Sequence, residues 1–140
     1  MNTLTIDVPG AARGKARPRV TRYGTYTPDP DGYAERVTAH AVEAVNTHGW
    51  TLVAAGPVRL DITICREIPS SWSRRKREQL SGTYSVRTPD AVNIAANVCD
   101  ALESIVYRND RQVVALEVSQ AWCDTHAGRT RIIVTALDDP

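Results

Sequence analysis

"TPDAVNIAANVCDALESIVYRNDRQVV", residues 88–114, carries one apolar helical pattern with an acid on either side of it. Ile94, Val98, Ala101, Leu102 and Ile105 recur at the spacing of one helical face. Asp90 stands where an N-cap belongs, and Asp110 lies in the polar turn that follows the pattern. Two readings are open. In one, Asp90 caps the helix and Asp110 is a turn residue. In the other, the helix carries its two ends to one place and the carboxylates share a divalent metal ion. Sharing would bring their oxygens within about 4 to 5 Å, because a hard cation holds each oxygen ligand at about 2.0 to 2.6 Å.

Outward from this helix the pattern alternates between strands and helices. Leu4, Ile6 and Val8 alternate with polar neighbours, as do Val58, Leu60, Ile62 and Ile64, which predicts two half-buried strands. Between them Tyr33, Val37, Ala41, Val42 and Val45 keep helical spacing after Pro30 and Asp31. Pro69 ends the second strand, Ser71 or Ser73 caps a short basic helix, and Gly82 closes it. Two strands follow the bracketed helix, one around Val114, Leu116 and Val118 and one through Ile132, Val134 and Ala136. The fold class is α+β, a small mixed sheet with two or three helices in a single domain over residues 1–140.

Composition narrows the function classes. A hydrophobic fraction of 42% with 24% charged residues belongs to a soluble globular chain, with no apolar run as long as a bilayer span and no secretory signal. A cytoplasmic location in a bacterial host is expected, without membrane contact. Cys65, Cys99 and Cys123 are odd in number and lack metal-site spacing, so reduced thiols are expected, with no disulfide and no zinc. His40, His48 and His126 are scattered, and no serine or cysteine sits in an elbow beside them, which leaves triad chemistry without support. "GAARG" is too short and too basic for a phosphate-binding loop, so no nucleotide cofactor is expected.

The net charge of +1 hides an uneven distribution. Nine of the 17 basic residues fall in two acid-free runs: Arg13, Lys15, Arg17, Arg19 and Arg22, then Arg74, Arg75, Lys76 and Arg77. Removing them leaves an acidic remainder that would repel phosphates, so the two runs together point to a polyanion track. Trp72 reads as a packed anchor or a base-stacking platform. Tyr23 and Tyr26 read as stacking groups or as the pins of a turn around Gly24.

"GKARPRVTRYGTYTP" (14–28), "IPSSWSRRKREQLSGTY" (68–84) and the opening stretch, in that order and spacing, resemble the signature segments of the RusA family of Holliday junction resolvases, encoded by phages and prophages. The resemblance implies a small homodimeric α+β endodeoxyribonuclease that binds four-way or branched DNA in recombination and repair. It implies hydrolysis dependent on Mg2+, with Mn2+ as a substitute. Carried over residue by residue, it makes Asp90 and Asp110 catalytic and metal-binding, with Asn109 as a weaker oxygen donor, and it makes the nine basic residues the DNA contacts.

The chain departs from the family pattern of lysine, proline, aspartate, any residue, aspartate, asparagine and a later lysine. Thr88, Val92 and Ala96 stand at the first lysine, the second aspartate and the last lysine, Asn109 replaces one acid of a later pair, and Gln120 replaces a basic residue. Val92 offers no oxygen to a metal, and Ala96 no cation to the charge that develops during strand cleavage. A weakened nuclease is expected, with a catalytically impaired junction-binding protein as the alternative. Asp100 reads as a helix-surface or helix-pairing residue or as a further neighbour of the metal, and Asn93 as a local cap or a support for a carboxylate.

Overall fold

The computed structural model describes residues 2–138. Alternation builds the sheet: β1 (Asn2–Pro9) turns Leu4, Ile6 and Val8 inward. After a two-stranded hairpin, β2 (Arg19–Thr21) and β3 (Gly24–Tyr26), and the helix α1 (Tyr33–His48), β4 (Val58–Arg66) turns Val58, Leu60, Ile62 and Ile64 to the same side. The short helix α2 (Arg74–Leu80) and the helix α3 (Ala91–Leu102) then lead through a 3-10 turn (Asp110–Gln112) to β5 (Val113–Trp122) and β6 (Arg129–Ala136). The four long strands lie in the order β1-β6-β4-β5, antiparallel except for the parallel β4–β5 pair. A parallel neighbour needs a crossover, and α2 and α3 supply it.

α1 packs on β1 and on α3, and α3 packs on β5, so the helices cover one face of the sheet. Leu60, Ile64, Ile94, Val98, Leu102, Tyr107 and Ile132 are fully buried between the layers. The opposite face is polar, with Arg131 paired to Asp7 and Arg59 to Asp61 and Glu117. This is the α+β architecture the alternation implies, and no helix among the described residues is long and apolar enough to cross a membrane.

Local capping follows the sequence closely at the two later helices. Ser73 accepts from the Lys76 amide at 3.2 Å and Asp90 from the Asn93 amide at 2.7 Å. At α1 the residue before the helix is Gly32 at φ 68, which has no side chain, and the Asp29 carboxylate reaches over to accept from the Ala34 and Glu35 amides instead. Ile105 was expected on the helical face, but α3 ends at Leu102 with Ser104 at φ 70, and Ile105 packs from the turn beyond.

The cysteine reading requires correction. Cys65 and Cys123 are joined in a disulfide, with Cα atoms 5.0 Å apart, and Cys99 alone is a free thiol. The cause lies in strand pairing. Arg66 is the parallel partner of Trp122, and the Cys123 amide donates to the Arg66 carbonyl at 2.8 Å, so residues distant in sequence lie side by side at the strand ends.

Candidate functional site

At the N-terminal end of α3, Asp90 is solvent-exposed and spends one carboxylate oxygen on the Asn93 amide. Val92, 76% exposed, and Ala96 share one outward stripe of the helix, a turn apart. The segment 13–15 runs along the adjacent stripe. The Lys15 amide donates to the Asn93 carbonyl at 3.4 Å, and the Asn97 side-chain amide donates to the Arg13 carbonyl at 3.1 Å. Gly14 permits this approach, since a Cβ there would collide with the Asn93 side-chain amide.

At the C-terminal end acids gather around one cation. The Lys15 ammonium is paired with Asp100, which holds it above its ordinary lysine value; partial burial opposes that shift, and Asp110 and Glu103 add to it. Glu103 accepts from the Asp110 amide at 3.2 Å, which ties the 3-10 turn to the end of α3. Asn109 accepts from the Arg111 amide at 3.0 Å, and its own amide donates to Gln112 Oε1 at 2.8 Å, forming a capping box. Beneath them Tyr107 is fully buried and donates to the Cys99 carbonyl at 2.6 Å. Burial holds its phenol well above the ordinary range.

Within one chain the helix therefore keeps its two ends apart. Twelve helical residues span about 18 Å, and Asp110 is fastened to Glu103 at the far end from Asp90. Within one chain that length stands between the two acids the sequence pairs. No group of three or more His, Cys, Asp or Glu residues suited to a metal occurs among the described residues. Asp90, Asp110 and Asn109 supply two carboxylates and one amide oxygen, with Asp90 at one end of α3 and the other two beyond its opposite end.

The basic residues divide into two kinds. Arg13 pairs with Asp31 at 2.9 Å and Glu67 at 3.6 Å, Lys15 with Asp100, and Arg74 with Glu78 at 3.2 Å. Arg17, Arg19 and Arg22 on or beside the β2–β3 hairpin, and Arg75, Lys76 and Arg77 on α2, have no acidic partner among the described residues. The hairpin also exposes Val20, Tyr23 and Tyr26, and the Arg22 guanidinium lies 4.8 Å from the Tyr23 ring centre. Trp72 is packed on Trp122, with ring centres 4.7 Å apart, and carries the Lys76 ammonium over its ring. That is the anchor reading of Trp72.

Glu103 and Arg66 lie outside the residues that the sequence pattern singles out. Arg66 ends the inward row Val58, Leu60, Ile62 and Ile64, so an arginine in phase with buried positions was the available signal. Glu103 gave none, since its partner is a backbone amide seven residues on.

Two comparisons bear on this arrangement. The family described as endodeoxyribonuclease RusA matches residues 9–135, nearly the whole chain. An uncharacterized protein of Bacillus subtilis (strain 168), YqaN, is 26% identical over 117 residues, covering 81% of this chain and 82% of its own.

Proposed function

The chain belongs to the RusA family of endodeoxyribonucleases, and on that premise we propose that it binds four-way or branched DNA as a two-fold homodimer whose active sites are built from both protomers. The observation that carries this reading is the placement of Asp90 and Asp110 at opposite ends of α3. An isologous pair of antiparallel helices sets the N-terminal end of one beside the C-terminal end of the other, twice. Asp90 of one protomer then faces the Asp110 end of its partner.

The sheet edge supports the same pairing. On its outer side β5 is covered only at its C-terminal half, where the Ser85 amide donates to the Gln120 carbonyl and the Trp122 amide to the Thr83 carbonyl. Its first half has no strand neighbour on that side among the described residues and exposes Val114 (63%) and Leu116 (48%). An apolar unpaired edge is a template for a second copy. Antiparallel pairing of two such edges would carry the overlying α3 helices into antiparallel neighbourhood.

In this reading Asp90 and Asp110 hold a divalent ion, Mg2+ with Mn2+ as a substitute, and Asn109 lies beside them. Such an ion, when bound, supplies an activated water and neutralises charge on the phosphate. The exposed arginines of the hairpin and of α2 bind the backbone of the DNA arms. Val92 narrows the donor set, which favours a second reading: a protein that holds junctions and cleaves them slowly or not at all.

Mixing Asp90→Asn with Asp110→Asn protein tests the shared site. Each variant alone should lose Mn2+ binding and junction cleavage. Mixed dimers should regain one intact site, because one protomer still offers Asp90 and its partner Asp110. Absence of recovery in mixtures shown to contain mixed dimers would sink the shared-site reading.

A further inference from the structure

Arg66 is the one arginine in the inward row of β4, and at 4% exposure it is buried at the edge of the core. Burial pulls its guanidinium below the ordinary arginine value, and Glu67 opposes that shift. A buried cation is retained only when its donors are used. Arg66 Nη1 donates to the carbonyls of Arg87 (3.2 Å) and Pro89 (3.0 Å) and to Gln120 Oε1 (2.9 Å), and Nη2 donates to the Thr88 carbonyl (3.1 Å). Nε faces Glu67 Oε2 at 3.8 Å with no closer partner.

Gln120, also buried, completes the arrangement from β5. Its Nε2 donates to the carbonyls of Ser85 (3.2 Å) and Arg87 (3.3 Å). Two side chains thus grip the carbonyls of residues 85, 87, 88 and 89, and the next residue is Asp90. The loop has few other anchors: Ser85 bonds the edge of β5, and the Arg87 amide bonds the Ser85 hydroxyl. Because Asp90 is an N-cap, its side chain is aimed by the backbone that enters the helix.

We infer that Arg66, locked by Gln120, is the positioning residue of the nuclease site: it fixes the three carbonyls before Asp90 and so sets where the Asp90 carboxylate points. The inference rests on the reading of Asp90 as a metal ligand. Only an arginine fork serves here. A lysine brings one point cation to a place where two nitrogens at the ends of a planar group reach four acceptors.

The test compares Arg66→Lys and Gln120→Leu with the parent chain, in two measurements. Hydrogen exchange of the Asn93 amide reports the Asp90 cap directly and requires no metal. Both variants should speed that exchange by about tenfold while amides of β4 and β6 keep their protection. Mn2+ affinity, read by calorimetry on the full chain, should fall by about tenfold, as is typical when a group supporting a ligand is removed. Junction affinity in metal-free buffer should not move. Unchanged Asn93 exchange in a folded Arg66→Lys protein would overturn the clamp. Faster exchange with unchanged Mn2+ affinity would overturn its role in the site, provided that Asp90→Asn abolishes Mn2+ binding. If Asp90→Asn leaves Mn2+ binding intact, the metal reading of Asp90 fails, and with it the positioning role, while the Asn93 exchange still decides whether the clamp exists.

Discussion

The two ends of α3 hold their acids in opposite ways. At the N-terminal end one carboxylate stands alone, exposed, and placed through backbone carbonyls gripped by Arg66 and Gln120. At the C-terminal end Asp100, Glu103 and Asp110 share the neighbourhood of Lys15, and the side chains themselves provide the restraint. A cation arriving from solvent meets no competitor at the first end and an ammonium already in place at the second. One helix thus separates an acid that is geometrically fixed but weak in charge from a group of acids rich in charge but already compensated.

Strengthening the poorer end should have the largest effect. Val92→Asp adds a carboxylate on the exposed stripe beside Asp90, and Ala96→Lys adds a cation one turn further on. Together they should raise metal-dependent junction cleavage by about a hundredfold, the equivalent of roughly 3 kcal/mol of regained electrostatic stabilisation. The gain should disappear when Asp90→Asn is added. A double variant that folds and binds junctions but stays as slow as the parent would remove the N-terminal end from the chemistry.

The basic surface offers the next effect, and it tests which cations are committed to acids. Arg17→Ala with Arg19→Ala should lower the salt slope of junction binding by about two, since each phosphate contact releases about 0.9 counterion. Arg13→Ala should change it far less, because Arg13 is held by Asp31 and Glu67. Titrations of affinity against salt separate these outcomes. Equal changes from both would mean that the ion pairs of Arg13 open on DNA.

How much of this was legible in the sequence depends on the range of the interaction. The strands followed from period-two alternation, as at Leu4, Ile6 and Val8, and the caps at Ser73 and Asp90 from side chains that act three residues away. These are local physics. The β2–β3 hairpin has only three residues per strand, all exposed, so no buried alternation announced it. The Lys15–Asp100 pair and the Cys65–Cys123 bond join residues far apart in sequence, and only the packing of segment 13–15 on α3 and the register of β4 with β5 bring them together. The acids bracketing α3 are visible in the sequence as a pair, while the rise of the helix between them is a property of the folded chain.

Removing the competitor at the richer end should give a smaller change. Lys15→Met keeps the length of the side chain but takes away the ammonium beside Asp100. Mn2+ affinity should then improve by a few-fold, on the order of 1 kcal/mol for one partly exposed charge. The ion pair also has a direction in pH. The Lys15 value is raised in the folded chain, so its stabilisation is present below the unfolded lysine value near 10.5 and is lost as pH rises through the folded value. Parent and Lys15→Met should therefore converge in stability only in strong alkali. Convergence already at neutral pH would mean that the pair contributes nothing to the fold.

The smallest effect concerns Cys99, which lies on α3 between the two ends and is half-buried. Burial raises its thiol above the ordinary value, the Asp100 and Asp110 charges add to that, and Tyr107 works against it. The thiolate is the reactive form, so a raised value means slow alkylation at neutral pH. The rate with iodoacetamide should still be climbing with pH beyond the region near about 8.5 where an ordinary thiol is already levelling off. With Cys65 and Cys123 bonded, mass spectrometry of the alkylated chain reads this residue alone. Because Cys99 is seven residues beyond Val92 on the outward stripe, pairing of α3 across a two-fold axis should slow the reaction further, and dilution that separates the protomers should restore it. A rate that levels near pH 8.5 and ignores dilution would show that neither the acidic end of α3 nor a partner helix covers the thiol.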